Sequence, residues 1–80
     1  MTGTILIYGG SGGIGSATAR NLKARGYRLH LAGRDAVALA AIASELGATF
    51  TAADVGDPAS FARVTDEAGA DLAGLVYAAG

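Results

Sequence analysis

The stretch Tyr8-Gly9-Gly10-Ser11-Gly12-Gly13-Ile14-Gly15 decides how the rest of the chain is interpreted. It places five glycines in positions 9–15, between an apolar run over 4–7 and a helical pattern that continues to Arg25. Without Cβ atoms the turn can adopt positive φ, and a bulky ligand can lie against its main chain. The helix start directs N–H groups and the positive end of its dipole to this place, which favours phosphate. A strand, a glycine turn and a helix start therefore predict a pyrophosphate site, with close packing of the turn as the alternative.

The composition excludes several classes of partner. A net charge of −1 over 80 residues gives no electrostatic reason to expect nucleic acid or an anionic membrane surface. The absence of cysteine excludes disulfides and thiolate metal sites, and we expect no metal site at all. The longest apolar run, over 36–43, is too short to cross a bilayer, and the first residues lack the basic region of a signal peptide. These features predict a cytoplasmic protein without a membrane partner.

The rest of the chain alternates strand and helix patterns. The spacing predicts strands over 5–8, 28–32, 49–53 and 72–77, and helices over 14–25, over 36–46 and from Asp57-Pro58 onward. Gly26 and Gly47 are expected to end the first two helices, and Asp35 to cap the second. The continuously apolar first strand is typical of a central strand of a parallel sheet.

Helical spacing also predicts which side chains are buried. The expected buried faces are Ile14, Ala17, Thr18, Asn21 and Leu22 in the first helix, Leu39, Ile42, Ala43 and Leu46 in the second, and Phe61, Val64 and Ala68 in the third. Phe50 and Phe61 are expected in the core, and His30 to be a buried or edge histidine with its hydrogen bonds satisfied. Asp66 and Glu67 are expected on a solvated helix face.

The order βαβαβαβ predicts an α/β fold with a doubly wound parallel sheet in three layers, α/β/α. Strand order 3-2-1-4 places the glycine turn where the order reverses, and such crevices bind ligands. Tyr8 and Tyr77 then end neighbouring strands, and we expect their rings to lie close together. The fourth strand is as apolar as the first, which is typical of an interior strand. We therefore expect residues 1–80 to form one incomplete half-domain with no internal boundary, its remaining strands missing.

Three overlapping glycine spacings fit the turn, and the glycines alone do not choose among them. They are G-x-G-x-x-G (Gly10, Gly12, Gly15), G-x-x-G-x-x-G (Gly9, Gly12, Gly15) and G-x-x-x-G-x-G (Gly9, Gly13, Gly15). The other strands are followed by Ala-Gly-Arg-Asp at 32–35, Asp-Val at 54–55 and Ala-Ala-Gly at 78–80. Together with G-x-x-x-G-x-G, these segments closely resemble the short-chain dehydrogenase/reductase family along the whole chain. The resemblance implies a Rossmann fold and an NAD(P)(H)-dependent oxidoreductase acting on a carbonyl or alcohol.

By this resemblance the cofactor-binding residues lie where the four strands end. They are Gly9, Ser11, Gly12, Gly13, Ile14, Gly15, Gly33, Arg34, Asp54, Val55, Ala78, Ala79 and Gly80. The resemblance assigns the Asp54 carboxylate to the adenine amino group, with a turn or cap role as the alternative. Two positions depart from the family pattern: Tyr8 replaces a usual Thr, and Tyr77-Ala78 replaces the two Asn of Asn-Asn-Ala-Gly. Since binding depends mainly on glycines and backbone groups, we expect it to survive both changes.

The residues after the second strand predict a preference for NADP(H) over NAD(H). Rossmann enzymes that prefer NAD(H) place an acidic residue at this strand end, where it binds the ribose 2′-hydroxyl. Ala32-Gly33 offers no carboxylate, and Arg34 follows with a planar fork suited to phosphate oxygens. Asp35 is acidic and adjacent, but as an N-cap its carboxylate would turn toward the helix.

No catalytic residue is predicted within the chain. The family's Ser, Tyr and Lys follow the segment equivalent to 78–80, and none of Tyr8, Tyr27 and Tyr77 has a Lys four residues later. We expect a small-molecule substrate to be bound by residues outside this stretch, and the complete protein to be a homo-oligomer. Two other classes stay open: a non-catalytic dinucleotide-binding or redox-sensing protein, and a structural protein with a vestigial site.

Overall fold

The computed structural model describes residues 3–9, 12–54, 57–69 and 71–78. Its elements are β1 (Thr4–Tyr8), α1 (Gly13–Ala24), β2 (Arg28–Gly33), α2 (Ala36–Leu46), β3 (Thr49–Ala52), α3 (Pro58–Ala68) and β4 (Leu72–Tyr77). Their order and types are those predicted, and the bounds of β1, α1, β2 and β3 differ from the prediction by one residue.

The strands form one parallel sheet in the order β3-β2-β1-β4. Tyr8 at the end of β1 lies between Ala32 of β2 and Tyr77 of β4. The Tyr8 and Tyr77 ring centroids are 6.0 Å apart. The predicted strand order and the predicted contact between the two rings are both confirmed.

The helices cover both faces of the sheet. On one face, Ile7, Leu29 and Leu31 pack against Ala19 of α1 and against Leu39 and Ala43 of α2. On the other face, Leu6, Tyr8 and Ala32 pack against Val64 of α3. This arrangement is the predicted three-layer α/β/α, doubly wound Rossmann-type architecture.

The helix ends form as their sequence signals predict. After α1, the Gly26 N–H donates to the Lys23 carbonyl at 3.0 Å and the Tyr27 N–H to that of Leu22 at 3.2 Å. This is the Schellman pattern, and Gly26 has the positive φ of 92° that it requires. Gly47 after α2 is left-handed, with φ 65°.

The buried face of α1 differs from the prediction. Gly15, Ser16 and Ala19 are buried, whereas Ile14 is 75% exposed and Ala17 and Asn21 are also exposed. Of the predicted set, Thr18 and Leu22 are partly buried, and Leu22 packs on the core. The prediction placed the larger side chains of α1 against the sheet. In the structure the buried residues of α1 are small, so its buried face is rotated by about one residue from the predicted one.

Phe50 and Phe61 were predicted in the core, and this is wrong. Phe50 is 38% exposed on β3, at one edge of the described sheet, and Phe61 is 47% exposed. The Phe61 ring stacks on Tyr8 with centroids 5.9 Å apart and planes at 10°. One face of Phe61 thus anchors α3 to β1, while the ring keeps contact with solvent.

His30 is buried on the α3 side of the sheet with both ring nitrogens in hydrogen bonds, as predicted. Nδ1 lies 2.6 Å from Thr49 Oγ1, and Nε2 lies 2.7 Å from Thr51 Oγ1. The Thr51 hydroxyl donates to exposed Glu67 at 2.6 Å, so its oxygen accepts from Nε2–H and the neutral ring carries its proton there. Burial lowers the pKa of His30, while the Glu67 carboxylate opposes this shift.

Strand β4 exposes apolar side chains. Leu72, Leu75 and Tyr77 are 38%, 52% and 64% exposed, at the other edge of the described sheet. An open parallel edge with apolar side chains is a template for association. We therefore expect the 80-residue chain, expressed alone, to aggregate or to fold only partly. Size-exclusion chromatography and thermal melting test this, and a monodisperse monomer with a sharp cooperative melt would contradict it.

Candidate binding site at the carboxyl edge of the sheet

Backbone hydrogen bonds hold the four strand ends side by side at the carboxyl edge of the sheet. The Gly9 N–H donates to Ala32 O at 2.7 Å, and the Ala78 N–H to Tyr8 O at 2.9 Å. The Ala53 N–H donates to Gly33 O at 2.7 Å. The predicted site residues that follow each strand are thereby brought to one edge. Ser11, Val55, Ala79 and Gly80, together with Gly10 of the motif, lie outside the described residues.

The glycine turn adopts a backbone that favours glycine at its first position. Gly9 has φ 80°, in the left-handed region, and its carbonyl accepts from the Gly12 N–H at 3.1 Å. This bond folds the chain back after β1 and sets Gly12 as the N-cap of α1. Because a glycine has no side-chain oxygen, the first turn of α1 has no side-chain cap at this position. The Asp35 and Asp57 carboxylates, in contrast, cap α2 and α3.

The start of α1 suits a pyrophosphate. An α-helix leaves its first N–H groups without intrahelical acceptors, and here they belong to Gly13, Ile14 and Gly15. A Cβ on Gly13 would meet no atom of the described residues within 4 Å, so their packing does not itself require a glycine there. The space beside the first turn stays open for a ligand at the positive end of the helix dipole. Gly15, by contrast, is buried within the described fold.

The end of β2 presents an exposed guanidinium beside a carboxylate that caps α2. Gly33 is buried, Arg34 is exposed, and the Asp35 Oδ1 accepts the Ala38 N–H at 3.1 Å. The predicted capping role of Asp35 is confirmed. This bond directs its carboxylate to the helix start, so Arg34 is the charged side chain that is available just beyond β2.

The end of β3 is held by α3. The Asp54 carbonyl accepts from the Asp57 N–H at 3.0 Å and from Ser60 Oγ at 2.6 Å. Asp54 takes part in this turn through its backbone carbonyl, is exposed, and lines a pocket of about 240 Å³; the adenine contact of its carboxylate stays a prediction. The pocket is also lined by Asp57, Ala59, Ser60 and Arg63.

Sequence reasoning missed Ser60 and Arg63. Arg63 Nη2 donates to Ala52 O at 2.8 Å, directly before the segment that Ser60 contacts. They lie one turn apart on α3, near its start, but this spacing is ordinary for a helix and does not by itself indicate a contact.

Tyr8 fills the position where the family usually has Thr, and its ring turns toward α3. It lies between Phe61 and Tyr77, and its hydroxyl is buried without a hydrogen-bond partner among the described residues. Burial, with a smaller contribution from Tyr77, raises the pKa of this phenol. The substitution leaves the strand–turn–helix path in place, because the ring points away from the core that α1 and α2 share with the sheet.

Two features are absent from the described ranges (3–9, 12–54, 57–69, 71–78). No helix there is long and apolar enough to cross a membrane. No group of three or more His, Asp or Glu side chains there could hold a metal ion.

Comparisons with known proteins agree with this architecture. The family model for short chain dehydrogenases matches residues 3–80. The chain is 48% identical over 50 residues to serine 3-dehydrogenase of Agrobacterium fabrum, covering 62% of this chain and 20% of that protein.

Solved structures give the same result. A short-chain type dehydrogenase/reductase of Mycobacterium ulcerans superposes with a TM-score of 0.92 at 30% identity, over 100% of this chain and 33% of that one. A 3-hydroxyacyl-CoA dehydrogenase type-2 of Mycobacterium avium gives a TM-score of 0.85 at 32% identity, over 98% of this chain and 33% of that one. The chain thus spans about a fifth of the curated relative and about a third of the solved structures. It belongs to the short-chain dehydrogenase family.

Proposed function

We propose that this chain is the cofactor-binding part of an NADP(H)-dependent short-chain oxidoreductase that acts on a carbonyl or alcohol substrate. One observation carries the proposal: backbone hydrogen bonds hold the ends of the four strands together beside the glycine-rich start of α1. Gly13 to Gly15 offer main-chain N–H groups to the pyrophosphate, and Gly9 and Gly12 keep side chains out of its path. Asp54 and Ala78 flank the same edge from β3 and β4.

The proposed preference for NADP(H) rests on the end of β2. A carboxylate at this position would repel a 2′-phosphate, and the acidic side chain next to it, Asp35, is engaged with the α2 backbone at 3.1 Å. Arg34 is exposed beside it and can donate to phosphate oxygens through its planar fork.

The chemical step is proposed to depend on residues outside these 80. Reduction of a carbonyl needs an acid near its oxygen. The single lysine, Lys23, lies exposed on α1, near the end remote from the glycine turn. Residues outside these 80 would therefore select the particular carbonyl or alcohol. The similarity to serine 3-dehydrogenase lies within the part that we propose to bind the cofactor. A cytoplasmic location and a homo-oligomeric complete protein remain further proposals.

Nucleotide titration of the complete protein, followed by an activity assay, tests the proposal. NADPH fluorescence should change on saturable binding, and NADPH oxidation should follow with a member of a panel of aldehydes and ketones. Binding without turnover of any substrate would favour the non-catalytic dinucleotide-binding alternative. No binding of either NADPH or NADH would contradict both.

A further inference from the structure

Two side chains of helix α3, Ser60 and Arg63, hold the chain at and just after the end of β3 through main-chain carbonyls. Ser60 Oγ lies 2.6 Å from Asp54 O and 2.8 Å from Asp57 O. Since one hydroxyl carries one proton, it donates to these two carbonyls alternately or shares itself between them. The Asp57 N–H donates to the same Asp54 oxygen at 3.0 Å, and Asp57 Oδ1 accepts the Ala59 N–H at 3.0 Å. The start of α3 and the backbone of Asp54 therefore form one hydrogen-bonded unit.

Contacts on two sides fix the strand end that carries Asp54. From α3, Arg63 Nη2 donates to Ala52 O at 2.8 Å, and Ser60 donates to Asp54 O. From β2, Gly33 O accepts the Ala53 N–H at 2.7 Å. Helix α3 thus holds Ala52 and Asp54, and strand β2 holds Ala53 between them. These bonds limit rotation of the backbone that carries the Asp54 side chain.

We propose that Ser60 is a positioning residue that sets the orientation of Asp54 toward the adenine end of the dinucleotide. The inference rests on the proposed function, because the adenine contact of Asp54 belongs to it. Ser60 itself touches no nucleotide in this account; it acts through the Asp54 carbonyl. Loss of its hydroxyl leaves the Asp57 N–H as the donor that still holds that carbonyl, so the loop keeps its path but gains freedom.

The test compares NADPH with its reduced hypoxanthine analogue, which lacks the adenine amino group. Wild-type complete protein should bind NADPH more tightly than the analogue. Ser60→Ala should weaken NADPH about threefold to tenfold and leave the analogue nearly unchanged, so that the preference shrinks. Ser60→Thr keeps the hydroxyl and should restore most of the preference. Ser44→Ala makes the same change on the exposed surface of α2 and should alter neither constant.

Each other outcome counts against the inference. Equal losses for both ligands in Ser60→Ala would make Ser60 a general structural residue, and an unchanged preference would remove its role. A wild type that binds both ligands equally would deny the Asp54 contact while leaving the proposed function in place. A wild type that binds neither would overturn the proposed function, and this inference with it.

Discussion

Replacing Arg34 with alanine is expected to weaken NADPH binding by about tenfold to about a hundredfold and to leave NADH binding almost unchanged. A charge-assisted hydrogen bond contributes roughly 1.5–3 kcal/mol. NADH has no 2′-phosphate, so it makes no such bond that the substitution could remove. Arg34 is exposed at the end of β2, so the substitution removes no core packing. Dissociation constants of both cofactors for wild type and variant provide the measurement.

The matched control is Arg25→Ala, which removes the same charge at the C-terminal end of α1, away from the glycine turn. It should change neither constant. If Arg34→Ala weakened both cofactors equally, Arg34 would serve the structure and not the phosphate. If the wild type preferred NADH, the predicted preference for NADPH would be wrong. The capping bond of Asp35 would then not keep its carboxylate away from the ribose.

Replacing Gly13 with valine should weaken both NADPH and NADH by about a hundredfold or more, without loss of thermal stability. The new side chain would stand beside the N–H groups that we assign to the pyrophosphate, and each such bond contributes roughly 1.5–3 kcal/mol. The described residues leave room for it, since a Cβ at this exposed position meets none of their atoms within 4 Å. Calorimetric titration and a thermal melt of the same samples measure both quantities.

Gly15→Val provides the comparison with a buried glycine of the same turn. It should abolish cofactor binding too, but with a lower melting temperature, because the larger side chain would have to fit at a buried position. Unchanged cofactor titrations in both variants would refute the assignment of the α1 start to pyrophosphate.

The topology could be predicted because its signals are local and agree with one another. Asp35 and Asp57 mark helix starts, Gly26 and Gly47 mark helix ends, and the apolar runs between them have the lengths of strands. The right-handed crossover rule then leaves few strand orders. The contact between Tyr8 and Tyr77 followed from that order alone.

The burial errors have one physical origin, since a pattern of apolar residues does not report how closely a helix approaches the sheet. Gly15 and Ala19 let α1 approach with small side chains, which leaves Ile14 exposed beside the glycine turn. Phe61 follows the expected helical spacing, but it reaches Tyr8 with only one ring face.

The site was predictable to the extent that it consists of strand ends. The side chains that hold it were harder to find, because Ser60 and Arg63 bond to main-chain carbonyls. Any strand end offers such carbonyls, so residue types and spacing do not mark the contact. Only the position of α3 relative to β3 reveals it.

The joined strand ends and the α1 start should bind the dinucleotide together. Backbone amide chemical shifts, followed while the complete protein is titrated with NADPH, measure this residue by residue. Saturable shifts should be largest at Gly13 to Gly15, with further changes at Arg34, Asp54 and Ala78. Shifts that do not saturate, or that fall on other parts of the sheet, would contradict the account.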